Sequence, residues 1–153
     1  MNWLELRVPP PAAALLTAAL MWLVAQALPA FEVDVPAGGA FTTLLAALGI
    51  LLGAVAVIQF RRAGTTVNPM QPHESAALVT SGIYRFSRNP MYVADVLLLA
   101  AWAAWLANLA TLVPIALFIA YMNRFQIVPE ERALQARHGE AYAAYRRLVR
   151  RWL

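Results

Sequence analysis

The polar residues that could carry out chemistry gather in two segments, which are separated by a long apolar stretch. The first segment reads Gly82-Ile-Tyr-Arg-Phe-Ser-Arg-Asn-Pro-Met-Tyr92, and the second contains the acidic pair Glu130-Glu131. Tyrosine offers an aromatic face and a hydroxyl, while glutamate offers a carboxylate that accepts hydrogen bonds. If the two segments meet at one end of the molecule, we expect them to form a binding site for a polar ligand.

These residues also have plain structural interpretations, which the sequence leaves open. An acidic pair that follows Pro129 is typical of the first turn of a helix, where the helix dipole favours anions. Arg85 and Arg88 lie beside an apolar stretch, where arginines anchor proteins to lipid headgroups.

Several kinds of catalytic centre are excluded by the residue types of the chain. The 153 residues contain no cysteine and two histidines, His73 and His138. A thiol nucleophile, a disulfide framework and a cysteine-based metal site are therefore excluded, and we expect no bound metal. The sequence shows no charge-relay triad, so it assigns no catalytic residue.

The composition is that of a membrane protein rather than of a soluble domain. Hydrophobic residues make up 61% of the chain and charged residues 13%, against roughly 45–50% and about 25% in soluble domains. A soluble fold of this size could not bury so many apolar side chains. We therefore predict an all-α integral membrane protein.

Apolar stretches predict about four transmembrane helices in this protein. The stretch 91–123 would measure roughly 50 Å as one helix, which is too long for a hydrocarbon core of about 30 Å. We expect it to form a hairpin that turns near Asn108. The four predicted spans, all within a single membrane domain of residues 1–153, are about 12–28, 40–60, 91–107 and 110–123.

The charged residues predict how the chain is oriented in the membrane. All twelve basic residues are arginines, and with four spans all of them fall on the side that also holds both termini. The opposite side carries Glu32 and Asp34. By the positive-inside rule we expect the termini to be cytoplasmic in a multi-pass protein of the cell (inner) membrane. The basic charge then requires no nucleic acid as a partner.

The segment 124–152 predicts an amphipathic helix on the cytoplasmic side. Its apolar and aromatic residues recur at spacings of three and four, and they are Leu134, His138, Ala141, Tyr145, Leu148 and Trp152. Arginines lie largely around this face, as is typical of a helix at a membrane interface. We expect a break in the helix at Gly139.

Taken in order, the motifs resemble the isoprenylcysteine carboxyl methyltransferase family and the related phospholipid methyltransferases. The series consists of Gly82–Tyr92, a hydrophobic hairpin, Glu130-Glu131-Arg-Ala-Leu134, His138-Gly139-Glu-Ala-Tyr142, Tyr145 and Val149-Arg150. The resemblance covers about residues 64–152, because the first two spans match only in hydrophobicity. It implies an enzyme of the EC 2.1.1 type that transfers a methyl group from S-adenosylmethionine.

The resemblance also assigns binding residues within the cytoplasmic segments 64–92 and 124–152. The implied cofactor-binding residues are Leu78, Val79, Tyr84, Asn89, Pro90, Tyr92 and Glu130. The chain departs from the family pattern twice, since Asn89 replaces a histidine and Gln126 replaces the arginine that contacts the acceptor. Candidate acceptor-binding residues are Arg88, Arg124 and Gln126. The small or lipid-like acceptor could be a carboxylate, an amine or a thiol.

Two other classes of membrane protein remain as alternatives. One is a membrane reductase with a similar C-terminal hairpin and a nicotinamide cofactor, although such chains are much longer. The other is a small four-span transporter, which generally needs an embedded carboxylate in an early span. The spans 12–28 and 40–60 contain none.

Overall fold

The computed structural model describes residues 5–35, 38–64 and 77–153, and these residues form a helical bundle. Its five helices are α1 (Pro10–Ala27), α2 (Gly38–Arg62), α3 (Pro90–Leu106), α4 (Leu112–Tyr121) and α5 (Val128–Leu148). Helices α1 and α2 and the continuous stretch Leu109–Leu148 are long and apolar enough to cross a membrane, and α3 is a shorter apolar helix. The predicted all-α integral membrane fold is confirmed.

Prolines and arginines explain where the apolar helices begin and end. Pro10 and Pro90 each occupy the first position of a helix, where an N–H group has no partner within the helix. Helix α2 ends at Arg61 and Arg62, whose positive charges complement the negative end of the helix dipole. The C-terminal end of α2 and the N-terminal end of α3 therefore bring polar residues to one end of the bundle.

Two glycines allow α2 to pack closely along α3. A Cβ atom added to Gly49 would lie 3.0 Å from a side-chain carbon of Leu98 and 3.2 Å from the backbone oxygen of Ala94. A Cβ atom added to Gly53 would lie 3.4 Å from the Cβ of Ala94. Small residues four positions apart let helices approach in lipid, where close van der Waals packing drives their association.

The hairpin between α3 and α4 turns at Asn108, where the sequence predicts it. Ala107 adopts a left-handed conformation (φ 48°), and the side chain of Asn108 accepts a hydrogen bond from the Ala110 N–H at 2.9 Å. The same side chain donates to the backbone oxygen of Leu28 at 2.9 Å. Asn108 therefore ties the hairpin turn to the end of α1.

A π-helical turn joins α4 to α5 and buries the polar side chain of Gln126 inside the bundle. It covers Met122–Ile127, and Gln126 within it is 1% exposed. Short π-helical segments occur frequently at functional sites. The break expected in α5 is observed, since Gly139 has φ 52° and ψ −125°.

The packed face of α5 differs from the face that the sequence predicts. Tyr142, which lies outside the predicted pattern, is 2% exposed, whereas Leu148 within the pattern is 85% exposed. The break at Gly139 rotates the second part of the helix relative to the first. A single helical period therefore does not describe the whole segment.

Candidate functional site

The carboxylate of Glu130, at the start of α5, accepts hydrogen bonds from two polar residues in other parts of the chain. The hydroxyl of Tyr92, in the first turn of α3, donates a hydrogen bond to Oε1 of Glu130. The amide of Gln126, in the π-helical turn, donates to the same oxygen at 2.8 Å. Both donors are neutral, and within the described part of the chain no arginine forms an ion pair with Glu130. The Glu130 carboxylate therefore has no charged partner among the described residues.

The neighbouring Glu131 has an entirely different environment. It lies 7% exposed and forms ion pairs with Arg88 at 2.8 Å and with Arg151 at 2.8 Å. The Glu131 carboxylate raises the pKa of Arg151 above its ordinary value, chiefly by accepting hydrogen bonds from the Arg151 guanidinium. Successive helical residues point about 100° apart, so one acidic pair serves two separate environments.

A glycine allows the turn before α3 to lie close against α2. Gly82 has φ +60°, and a Cβ atom there would lie 2.0 Å from the side-chain amide nitrogen of Gln59. The carbonyl of that amide accepts a hydrogen bond from the N–H of Ile83 at 3.3 Å. Only glycine combines a left-handed conformation with this close approach. Gln59 is a positioning residue that the sequence motif did not indicate.

Tyr84, which follows this turn, is buried in a small apolar cluster with Val79 and Ala56. The hydroxyl of Tyr145 in α5 donates to the backbone oxygen of Tyr84 at 2.6 Å, which joins the turn to the C-terminal helix. The Tyr84 hydroxyl itself is buried and has no hydrogen-bond partner. Burial raises its pKa well above the ordinary value, and the negative charge of Glu130 adds to this effect. Tyr84 therefore stays protonated and keeps an unused hydrogen-bond donor.

The C-terminal residues fold back over the start of α3. The backbone N–H of Arg88 donates to the oxygen of Arg150 at 3.0 Å, and the side-chain amide of Asn89 donates to the oxygen of Arg151 at 2.9 Å. Trp152 donates its indole N–H to Asn123 at 3.1 Å. Asn89 thus contacts the protein's own C-terminal segment.

Arg124 contacts the N-terminal segment rather than the residues around Glu130. Its guanidinium forms an ion pair with Glu5 at 2.9 Å, and Arg132 forms a second with the same carboxylate at 2.7 Å. The backbone N–H of Leu6 also donates to the oxygen of Phe125 at 3.0 Å. Residues 5–6 are therefore fixed to the junction of α4 and α5.

This contact predicts an acid-sensitive N-terminal segment. The two arginines, Arg124 first, lower the pKa of Glu5 below its ordinary value of 4.5, and arginines keep their charge at any accessible pH. Because the pKa of Glu5 is lower in the folded protein, its charge stabilises the contact at every pH above the ordinary pKa. This stabilisation is lost as the pH falls through the lowered pKa. Hydrogen exchange at the Leu6 amide, expressed relative to the intrinsic exchange rate at each pH, should be slow at neutral pH and should accelerate as the pH falls below the ordinary value of 4.5. Glu5→Gln should accelerate it throughout; unchanged exchange in this variant would contradict the assignment.

The structure gathers some of the assigned residues and separates others. Hydrogen bonds join Tyr92, Gln126 and Glu130 directly. Tyr84 and Val79 pack together in the small apolar cluster described above. Of the remaining assigned residues, Leu78 is half-buried and Pro90 is buried at the start of α3. The side chains of Arg88, Asn89 and Arg124 bind Glu131, the Arg151 oxygen and Glu5, respectively, rather than Glu130. The ion pairs of Glu131 and the contacts of the C-terminal segment had no signal in the sequence motifs.

Together these observations define a membrane protein of packed apolar helices with a polar site at one end. A family model described as "Phospholipid methyltransferase" matches residues 38–141, and the chain belongs to this family of methyltransferases. A protein of Haemophilus influenzae (strain ATCC 51907 / DSM 11121 / KW20 / Rd), described as an "Uncharacterized protein", is 41% identical over 63 residues. That match covers 41% of this chain and 100% of the relative. No solved structure matches the chain.

Proposed function

We propose that the protein transfers a methyl group from S-adenosylmethionine to a small or lipid-like acceptor at the cytoplasmic face of the membrane. The observation that carries this proposal is the arrangement around Glu130, where a carboxylate without a cationic partner in the described structure meets two neutral donors. Membership of a methyltransferase family supplies the reaction class. The finer relation to isoprenylcysteine carboxyl methyltransferases rests on the sequence motifs.

The residues of this region suit the functional groups of the cofactor. S-adenosylmethionine carries an ammonium, two ribose hydroxyls and a positively charged sulfonium. The Glu130 carboxylate can accept hydrogen bonds from an ammonium or a ribose, and aromatic rings such as Tyr92 attract a sulfonium. The unpartnered hydroxyl of Tyr84 provides a further donor. Leu78, Val79, Asn89 and Pro90 complete the proposed cofactor-binding set.

The bound cofactor supplies an activated methyl group, and the chain supplies alignment and exclusion of water. Methyl transfer is an in-line displacement, so holding donor and acceptor in line provides much of the rate. Tyr92 and Gln126 both donate to the same oxygen of the Glu130 carboxylate, which fixes the position of that oxygen. The buried cluster around Val79 and Tyr84 keeps water from one side of the site.

The charges around the site favour an amine as the methyl acceptor over a carboxylate. Arg88 and Arg124 are both paired with glutamates, and Gln126 is bonded to Glu130. Each of the two guanidiniums already binds a carboxylate of the protein, with which an acceptor carboxylate would have to compete. Asp95 lies one helical turn beyond Tyr92 in α3 and adds a further acidic group, which would attract a protonated amine.

Binding and label transfer test this proposal. Purified protein in mild detergent should bind S-adenosylmethionine in a calorimetric titration and should not bind NADPH, which a membrane reductase would bind. Incubation with lipid extract and S-adenosylmethionine carrying a labelled methyl group should place the label in lipid. Label that mild alkali does not release as methanol indicates an N-methyl or an S-methyl group, whereas label released as methanol indicates a methyl ester. Binding of NADPH alone, or no labelled product, would refute methyl transfer.

A histidine substitution tests the position where the chain departs from the family pattern. Asn89→His should preserve affinity for S-adenosylmethionine within about threefold, because a histidine ring can also donate a hydrogen bond to the Arg151 oxygen. Calorimetric titration of both proteins measures this ratio. A loss of affinity much larger than this, at unchanged thermal stability, would show that the side-chain amide has a role that histidine does not fill.

The proposed orientation places the site, both termini and the arginine-rich segments in the cytoplasm. A water-soluble cofactor would then enter from the cytoplasm, and a lipophilic acceptor would enter from the bilayer. Reporter fusions at residue 35 and at residue 153 should give opposite sidedness. The same sidedness at both positions would refute this orientation.

A further inference from the structure

A groove lined by three arginines lies between α5 and the loop before α3. It has a volume of about 350 Å³ and is lined by Arg88, Gln135, Ala143, Arg146 and Arg147. Arg88 comes from the loop before α3 and the other residues come from both sides of the Gly139 break. The groove therefore depends on the tertiary structure, since no sequence motif contains these residues together.

The innermost of these arginines has an unused hydrogen-bond donor. The side chain of Arg88 is 10% exposed, and its Nη2 donates to Glu131 at 2.8 Å. Its Nε is buried and has no hydrogen-bond partner. A buried donor without an acceptor costs free energy, and a bound acceptor in the groove would remove that cost.

The arginines at the rim carry positive charge that is only partly compensated. Arg147 forms an ion pair with Glu140, in which both side chains are largely exposed. The Arg146 guanidinium lies 6.0 Å from the centre of the Tyr142 ring, and it forms no ion pair within the described residues. The groove thus combines a buried donor at its base with net positive charge at its rim.

We propose that this groove binds a phosphate group, carried either by a lipid headgroup or by a soluble compound. Guanidinium groups bind phosphate oxygens with paired, charge-assisted hydrogen bonds, and several guanidiniums around one space suit a phosphate, which has two free oxygens as a diester and three as a monoester. Basic pockets at the ends of transmembrane helices provide such sites for lipid headgroups. The proposal does not depend on methyl transfer being the reaction.

Phosphate titration with matched arginine variants tests this site. The full-length protein in non-ionic detergent is titrated with inorganic phosphate at constant ionic strength, without S-adenosylmethionine. The double variant Arg146→Gln/Arg147→Gln removes two exposed arginines of the groove. The control Arg61→Gln/Arg62→Gln removes two exposed arginines at the end of α2, so both variants lose the same charge. We expect saturable binding that weakens about tenfold or more in the first variant and less than about threefold in the second.

Repeating the titration in nanodiscs of phosphatidylcholine and phosphatidylglycerol distinguishes the two sources of phosphate. If the binding seen in detergent disappears in the bilayer, the occupant is a lipid headgroup. If binding persists, the occupant is a soluble phosphate compound. The proposal is overturned if the wild-type protein in detergent shows no saturable phosphate binding, or if both double variants lose affinity equally. Each result leaves the binding of S-adenosylmethionine as an independent measurement.

Discussion

A Glu130→Gln variant is expected to bind S-adenosylmethionine about tenfold or more weakly than the wild-type protein, which corresponds to roughly 1.5–3 kcal/mol for one charge-assisted hydrogen bond. The substitution keeps an oxygen that can accept from Tyr92 and Gln126, so the local packing is retained. It removes the negative charge, which those two neutral residues leave uncompensated. Calorimetric titration in detergent measures the affinity, and a thermal unfolding curve measures the stability.

Glu140→Gln is the matched control for this measurement. Glu140 lies in the same helix, and its side chain is 80% exposed on the surface. The control makes the same chemical change without touching Tyr92 or Gln126, and we expect no change in cofactor affinity. Equal affinities for the wild-type protein and both variants would remove Glu130 from the cofactor site. A large loss of thermal stability in Glu130→Gln would show that this residue is structural.

Glu131→Gln is expected to have the largest effect on stability, about 3–5 kcal/mol, because breaking a buried ion pair leaves an uncompensated charge. The Glu131 carboxylate contacts both Arg88 and Arg151, and the Arg88 side chain is 10% exposed. The interaction joins the loop before α3 to the first turn of α5 and to the C-terminal segment. The midpoint of thermal unfolding in detergent should fall well below that of the wild-type protein.

The Glu140→Gln variant again provides the comparison, since it breaks an ion pair between two exposed side chains. Exposed pairs contribute about 1 kcal/mol or less, so its unfolding midpoint should stay near that of the wild-type protein. A midpoint for Glu131→Gln equal to that of the control would show that the buried pair contributes no net stability. Below its unfolding temperature, Glu131→Gln should bind S-adenosylmethionine within about threefold of the wild-type affinity, because Glu130 is unchanged.

The two variants should therefore separate binding from stability within one acidic pair. From the sequence, both glutamates suit the first turn of a helix, which predicts that the two substitutions have similar effects on stability. The structure shows that Glu131 is buried between two arginines, whereas Glu130 faces Tyr92 and Gln126. The direction in which each side chain points depends on what packs against the helix, and composition carries no information about that.

The amino-acid sequence by itself determined the membrane fold, the approximate helices and the reaction class. Apolar runs of this length must be helical in lipid, because every backbone N–H and C=O needs a partner within the segment. The sequence predicts an interruption at Asn108, because its polar side chain suits a turn. It predicts another at Gly139, because a residue without a side chain suits a left-handed conformation. The ordered motifs indicated the methyltransferase family that the comparison with known families confirms.

Only the tertiary structure decided which polar groups meet. Glu5 reaches Arg124 and Arg132, and Arg88 reaches Glu131 together with Arg151, over large distances in the chain. Charged side chains at the ends of membrane helices share one thin polar layer, where each arginine has several carboxylates within possible reach. The pairing follows from how the helices pack and from where the terminal segments fold back, so no local pattern in the sequence can fix it.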